Sequence, residues 1–291
     1  MSKSVNITEK MVLGTAQFGM DYGIANLSGK PTKKEGFGIL DLAWENGVRR
    51  FDTAPGYGSE VLLGEFIAVN GLQDEIRVLT KIPSQESSSD YRKSIWSSLK
   101  TSLNYLGCPV DVLFLHNPVD SALLLSDQQF FETLINDYPV TTVGVSVYDP
   151  QEVESLAGYP IELAFQFPFN VLDRRFEQMS IPKGKRYARS LFLQGLLASP
   201  NELRPDTPIE LLCLQKEYHD RLADHFIDPV SFAVSFVAHN STVDYFLVGV
   251  DSAKQLQKIL DLELYEQRDM DLLNKLQIKT EKKWFDPRIW N

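Results

Sequence analysis

The sequence predicts an α/β protein, a single (β/α)8 TIM barrel spanning residues 1–291. Three observations predict it. Eight short apolar runs recur along the chain, with longer amphipathic stretches between them. No linker or low-complexity segment divides the sequence, and the length suits one barrel. No G-x-G-x-x-G follows the first apolar run, which argues against the main alternative, an open doubly wound sheet with a Rossmann nucleotide site.

The strand candidates are "MVLGTA", "VRRFDTA", "IRVLTKI", "VDVLFLH", "TTVGVSV", "IELAFQF", "KRYARSLF" and "VDYFLVGV". Most are near-continuous apolar runs, as strands buried on both faces of a parallel sheet require. "TKKEGFGILDLAWENG" and "SDYRKSIWSSLKTSLNYLG" carry apolar residues at helical spacing and stop at Gly47 and Gly107. "DPQEVESLAG" opens with Asp149 as N-cap and Pro150 in the first turn, and Gly158 is expected to close it. "SAKQLQKILDL" begins after Ser252 in the same way. "LASPNELRPDTPIE" is the expected long loop, and "DPVSFAVSFVAHN" and "RDMDLLNKLQ" are expected helices added to the basic barrel.

Composition bounds the partners. With 29 basic and 39 acidic residues the net charge is −10. An acidic surface disfavours nucleic acid and anionic membranes as main partners. No apolar run has the length of a signal-peptide core at the N-terminus or of a membrane span elsewhere. Cys108 and Cys213 stand alone, without metal-ligand spacing. A reducing, cytoplasmic setting and no metal are expected, and nothing in the sequence marks an oligomer interface.

Active sites of such barrels lie at the carboxyl ends of the strands. The second run ends at Asp52, with Tyr57 in the following loop, the third delivers Lys81, and the fourth ends at His116. Each residue alone has an ordinary structural use as a cap, a loop packer or a satisfied histidine. Together they form an acid site. Lys81 is expected to lower the Tyr57 pKa, with Asp52 holding and balancing the lysine. The phenol then gives its proton to a carbonyl oxygen as hydride arrives at carbon, and His116 orients that oxygen. The alternative chemistry is a Schiff-base aldolase with Lys81 as nucleophile.

In order and local context these four residues match a known family. From "LGTAQFG" to "VGVDSAKQL" the chain resembles the aldo-keto reductases, NADPH-dependent (β/α)8 barrels, and "FDTAPGYGSE" resembles the signature around the first two members of their tetrad. The resemblance implies reduction of an aldehyde or ketone by a nicotinamide cofactor, with Asp52, Tyr57, Lys81 and His116 catalytic. It further implies that Ser146 in "GVSVY" and Gln166 in "QFPFN" read the nicotinamide carboxamide. In "ARSLFLQGLL", Arg189 stands where the family's stacking aromatic stands, and Ser190, Leu191 and Gln194 lie along the pyrophosphate. Gln17, Asp52, Gly249, Ser252 and Gln255 complete the implied cofactor contacts.

The chain departs from the family at Val147, where Asn is common, and at Val250 and Asp251, where many members carry Arg or Lys. The resemblance implies NADP(H) as the cofactor, the departure at Asp251 keeps NAD(H) as the alternative, and Lys254 or Lys258 would compensate Asp251. Tyr57, His116, Asn117 and Tyr148 are the expected substrate-facing residues, with Phe18 and Tyr22 after the first strand. Trp284, Phe285 and Trp290 lie on a C-terminal tail expected over the barrel rim. Similar tails in members encoded with surface-sugar genes suggest a keto-sugar or sugar-nucleotide substrate. A non-catalytic nicotinamide-binding regulator on the same barrel is the other alternative.

Overall fold

In a computed structural model, which describes residues 6–177, 183–266, 278, 281–287 and 290, all eight apolar runs are parallel strands. They are β1 (Met11–Gly14), β2 (Arg50–Asp52), β3 (Arg77–Ile82), β4 (Val110–Leu115), β5 (Val140–Ser146), β6 (Ala164–Pro168), β7 (Arg186–Arg189) and β8 (Tyr245–Gly249). Each pairs with its sequence neighbours, and β8 returns to β1 with Val12 opposite Leu247 and Gly14 opposite Gly249. The sheet is a closed barrel, so the open doubly wound alternative is excluded.

Closure divides the core into two layers, because successive side chains on a strand point to opposite faces. Inside the barrel, Val12, Leu79, Val112, Phe114, Ala164 and Tyr187 pack together, with Tyr245 and Leu247 against them. The intervening residues Leu13, Phe51, Val78, Val143, Phe165 and Phe246 belong to the outer core between strands and helices. Gly144 makes room for the Phe114 ring: a Cβ there would lie 2.8 Å from Phe114 carbons and 2.4 Å from the Ala164 carbonyl oxygen. Phe114 in turn meets Tyr187 edge-on, with ring centroids 5.8 Å apart.

The helices carry the expected caps at Gly107, Asp149 and Ser252, and others besides. Lys33–Glu45 opens with a reciprocal Thr32–Glu35 capping box, and Tyr91–Leu106 is capped by Asp90 and ends at left-handed Gly107. Ala253–Leu260 starts at Ser252 and Pro229–His239 starts at Asp228. Pro150–Glu154 has the expected Asp149 cap but stops before Gly158. The chain tightens there instead, through bonds from Leu156 N–H to Val153 O and from Ala157 N–H to Glu154 O. Helices Glu60–Asn70, Gln128–Asp137 and Ile209–Ala223 complete the outer layer. The expected helix over "RDMDLLNKLQ" lies outside the described residues.

In the tail, Lys282 pairs with Asp149, and the Arg175 guanidinium sits 5.5 Å from the Phe285 ring centroid. The described tail therefore rests on the loops after β5 and β6, at the mouth of the barrel.

Candidate active site

Counting along the strands locates the site. Two residues beyond the interior layer each strand reaches the mouth, and one inward position per strand remains. These positions are Gly14, Asp52, Lys81, His116, Ser146, Gln166, Arg189 and Gly249. Seven of the eight are expected site residues, and Gly14 lines the same cleft.

Asp52 and Lys81 are almost fully buried, 3% and 1% exposed. Lys81 Nζ donates to Asp52 Oδ1 at 2.6 Å, to Oδ2 at 2.7 Å and to the Thr53 carbonyl at 3.0 Å. All three ammonium protons have acceptors, as a buried cation requires. Gln166 Nε2 donates to Asp52 Oδ2 at 2.9 Å. The Asp52 backbone is fixed as well: its carbonyl accepts from Thr15 N–H and from Thr15 Oγ1, which meets Ser59 Oγ at 2.8 Å.

After Asp52 the chain turns through a 3-10 segment, Pro55–Tyr57, and left-handed Gly58 into helix Glu60–Asn70. This turn swings Tyr57 back over the pair, and Lys81 Nζ lies 4.8 Å from the Tyr57 ring centroid. His116 meets the same ring edge-on at 6.0 Å. Tyr57, Lys81, Asp52 and His116 are thus one cluster.

Its electrostatics differ from expectation in one respect. The Tyr57 phenol is pushed above its ordinary value, first by burial and then by the Asp52 carboxylate. The cation that opposes this is Arg189 rather than Lys81. Burial also pulls the Lys81 ammonium down, while Asp52 pulls it up.

The cluster opens into a cleft of about 620 Å³. Its inner end holds Asp52, Tyr57, His116, Ser146, Tyr148, Gln166 and Arg189, and Gln17, Ser190, Leu191, Gln194 and Gly249 line it further along. The outer end holds Glu202, Asp251, Gln255 and Lys258. Arg189 reaches across from β7, where Nη2 donates to the Val147 carbonyl at 3.0 Å and Cζ stacks 3.9 Å from the Tyr148 ring centroid.

Two expected residues are placed elsewhere. Asn117 does not line the cleft, because its amide donates to Ser84 and Glu86 and its oxygen caps Val119 N–H. Ser252 is the N-cap of helix Ala253–Leu260, bonded to Gln255 N–H. None of Trp284, Phe285 and Trp290 lines the cleft; Phe285 and Trp290 are buried in packing.

Residues 10–278 match the Aldo/keto reductase family. The chain belongs to that family. The aldo/keto reductase relatives include the chloroplastic pyridoxal reductase of Arabidopsis thaliana, 32% identical over 49% of this chain and 44% of the relative. Norsolorinic acid reductase stcV of Emericella nidulans is 25% identical over 89% of this chain and 77% of the relative. The chain spans about half the length of several other curated relatives it matches, 56% in two cases. Glycerol dehydrogenase AKR11B4 from Gluconobacter oxydans has the same fold, with a TM-score of 0.68 over 92% of this chain and 90% of its own at 20% identity.

Two contributors to this aldo/keto reductase cleft escaped the sequence. Gly19 packs flat on the Tyr57 turn, so close that an added Cβ would fall 1.7 Å from the Tyr57 carbonyl oxygen. Asn26 donates to Asp251 Oδ1 at 3.1 Å and ties the loop after β1 to the outer end. Only the glycine itself, in "AQFG", offered a signal for the first, and nothing offered one for the second.

Proposed function

We propose that this aldo/keto reductase reduces an aldehyde or ketone with hydride from a nicotinamide dinucleotide, with Tyr57 as the general acid. The observation that carries the proposal is the convergence of Tyr57, His116 and a neutralised Lys81–Asp52 pair at one end of a long cleft.

The cleft fits such a cofactor. Ser190, Leu193 and Gln194 adopt left-handed backbone with φ of 59°, 45° and 55°. That strain is stored where the loop lines the cleft. Among the described residues, no acceptor bonds the N–H groups of Leu191, Phe192 and Gln194, so they are available to a pyrophosphate. Ser146 and Gln166 supply polar atoms at the inner end. When bound, the reduced dinucleotide supplies the hydride.

Tyr57 donates its proton to the carbonyl oxygen, and His116 orients that oxygen beside it. The Arg189 guanidinium, the cation that opposes the rise of the Tyr57 phenol, stabilises the phenolate left behind. Asp52 holds the lysine in place and balances it before reaction. Because all three Lys81 donors are engaged, the Schiff-base alternative is disfavoured: an amine must be neutral and free to attack.

The outer end bears on cofactor choice. Asp251 is half-buried there, and burial pushes its carboxyl above the usual range. Arg204, the cation that acts on it, is paired with Asp21, and Lys258, which also lines that end, is paired with Asp228 at 3.2 Å. A carboxyl matches a ribose 2′-hydroxyl and repels a 2′-phosphate, so this end favours NADH over NADPH. A small carbonyl compound is the substrate class; its keto-sugar identity rests on the resemblance of the tail alone.

The test is titration of the protein with NADH and NADPH, followed through its four tryptophans. Saturable binding of at least one is the expected result, with NADH the tighter. Failure of both to bind would overturn the proposal.

A further inference from the structure

The inner end of the cleft carries one cation with no carboxylate partner among the described residues. Lys81 is neutralised by Asp52, and Lys258 is paired at the outer end. Arg189 instead contacts only neutral groups: the Val147 carbonyl, Ser190 Oγ at 3.4 Å and the face of Tyr148. Its side chain spans from β7 to the end of β5, and so crosses the part of the mouth that Gln166 of β6 occupies between them. Its charge is felt at both Tyr57 and Lys81.

This position has a consequence for the two redox forms of the cofactor, on the reading of the site given above. Tyr57 protonates the oxygen of the carbonyl whose carbon receives the hydride. Ser146, Gln166 and Arg189, which line the inner end beside Tyr57, would hold the ring that supplies the hydride. Hydride transfer moves two electrons and one proton to the carbonyl carbon, and Tyr57 Oη supplies the second proton to its oxygen. The ring changes from a neutral dihydropyridine to a pyridinium cation. A guanidinium that stacks readily on a neutral or electron-rich ring repels a cationic one.

We propose that Arg189 makes this site discriminate against the oxidised dinucleotide, so that the enzyme binds reduced cofactor tightly and releases oxidised cofactor easily. The pyrophosphate, ribose and adenine are the same in both forms and cancel in the comparison. What remains is one charge beside Arg189. Two like charges a few Å apart at an effective dielectric of about 20 interact strongly enough for roughly a 10- to 100-fold difference in affinity after solvent screening. Weak binding of the oxidised form speeds its release after reduction, while the equilibrium between the two bound forms lies further toward the reduced cofactor than in solution.

The experiment is a fluorescence titration of the full chain with NADH, NAD+, NADPH and NADP+, for the wild type, Arg189→Gln and Arg189→Lys. The wild type is expected to bind the reduced member of its preferred pair at least about 10-fold more tightly. Arg189→Gln should bring the ratio close to unity, chiefly by tightening the oxidised form, and Arg189→Lys should keep most of it. Equal affinities in the wild type, or a ratio unchanged in Arg189→Gln, would overturn this inference while leaving the dinucleotide site intact. Binding of none of the four would overturn both.

Discussion

Lys81 and Asp52 face each other across β3 and β2 in a closed ion pair, with Nζ 2.6 and 2.7 Å from the two carboxylate oxygens. Neither group touches solvent appreciably, and the Thr53 carbonyl and Gln166 amide complete their bonding. The pair is the floor on which Tyr57 rests.

Removing one member leaves the other charge buried without a partner. Asp52→Asn or Lys81→Met should each destabilise the protein by about 3–5 kcal/mol. The double variant should lose clearly less than the sum, since it leaves no orphaned charge. Urea unfolding of the three proteins measures this, and strict additivity would mean the two side chains act independently.

Gly19 sets the position of the proposed acid. A Cβ at residue 19 collides with backbone at Tyr57, which cannot yield as a flexible side chain would. Gly19→Ala should cut kcat by roughly 10²-fold, the scale of a misplaced catalytic group, while dinucleotide affinity stays close to wild type. Gly38→Ala is the control: it lies in helix Lys33–Glu45 with open space around it, and should gain about 0.5–1 kcal/mol of stability without a change in rate.

The raised Tyr57 phenol fixes a pH profile. A group whose pKa is raised stays protonated to higher pH, and reduction needs the protonated form. An ordinary phenol titrates near pH ~10, and burial and Asp52 move Tyr57 above that. The rate of carbonyl reduction at saturating cofactor should therefore stay level through about pH 10. A loss of rate with a midpoint near pH ~8 would be inconsistent with this assignment.

At the outer end, Asp251→Ser removes the acid while sparing the neighbouring Ser252 cap. NADPH affinity should rise roughly 10-fold relative to NADH, the weight of one nearby like charge partly exposed to solvent. Isothermal titration of both cofactors against both proteins reads the ratio directly. No change in it would place the 2′ position of the ribose away from Asp251.

The strands were legible because both faces of a barrel strand are buried, so apolar residues run nearly unbroken through "VDVLFLH" and "TTVGVSV". Asp52, Lys81 and His116 were read from the carboxyl ends of their strands and Ser146, Gln166 and Arg189 from the family resemblance, and in the structure all six take the inward mouth position of their strand. Asn117 was misjudged because its partners, Ser84 and Glu86, come from the loop after the preceding strand, which chain spacing does not bring beside it. The sign of the Tyr57 shift was misjudged because burial of the phenol, its largest cause, is a property of the folded cleft and not of chain spacing. Gly19 was invisible because its contact with Tyr57 crosses from the short helix Ala16–Gly19 to the 3-10 segment after β2, and the end of helix Pro150–Glu154 escaped because a glycine at 158 is only one way to stop a helix.

The most direct measurement is turnover by Tyr57→Phe. Wild type and variant are each supplied with their bound reduced dinucleotide and a panel of aldehydes and ketones, and loss of cofactor absorbance is followed. The account predicts reduction by the wild type and a loss of at least about 10²-fold in the variant, with cofactor affinity nearly unchanged because only one hydroxyl is removed. Wild-type turnover in Tyr57→Phe would contradict it.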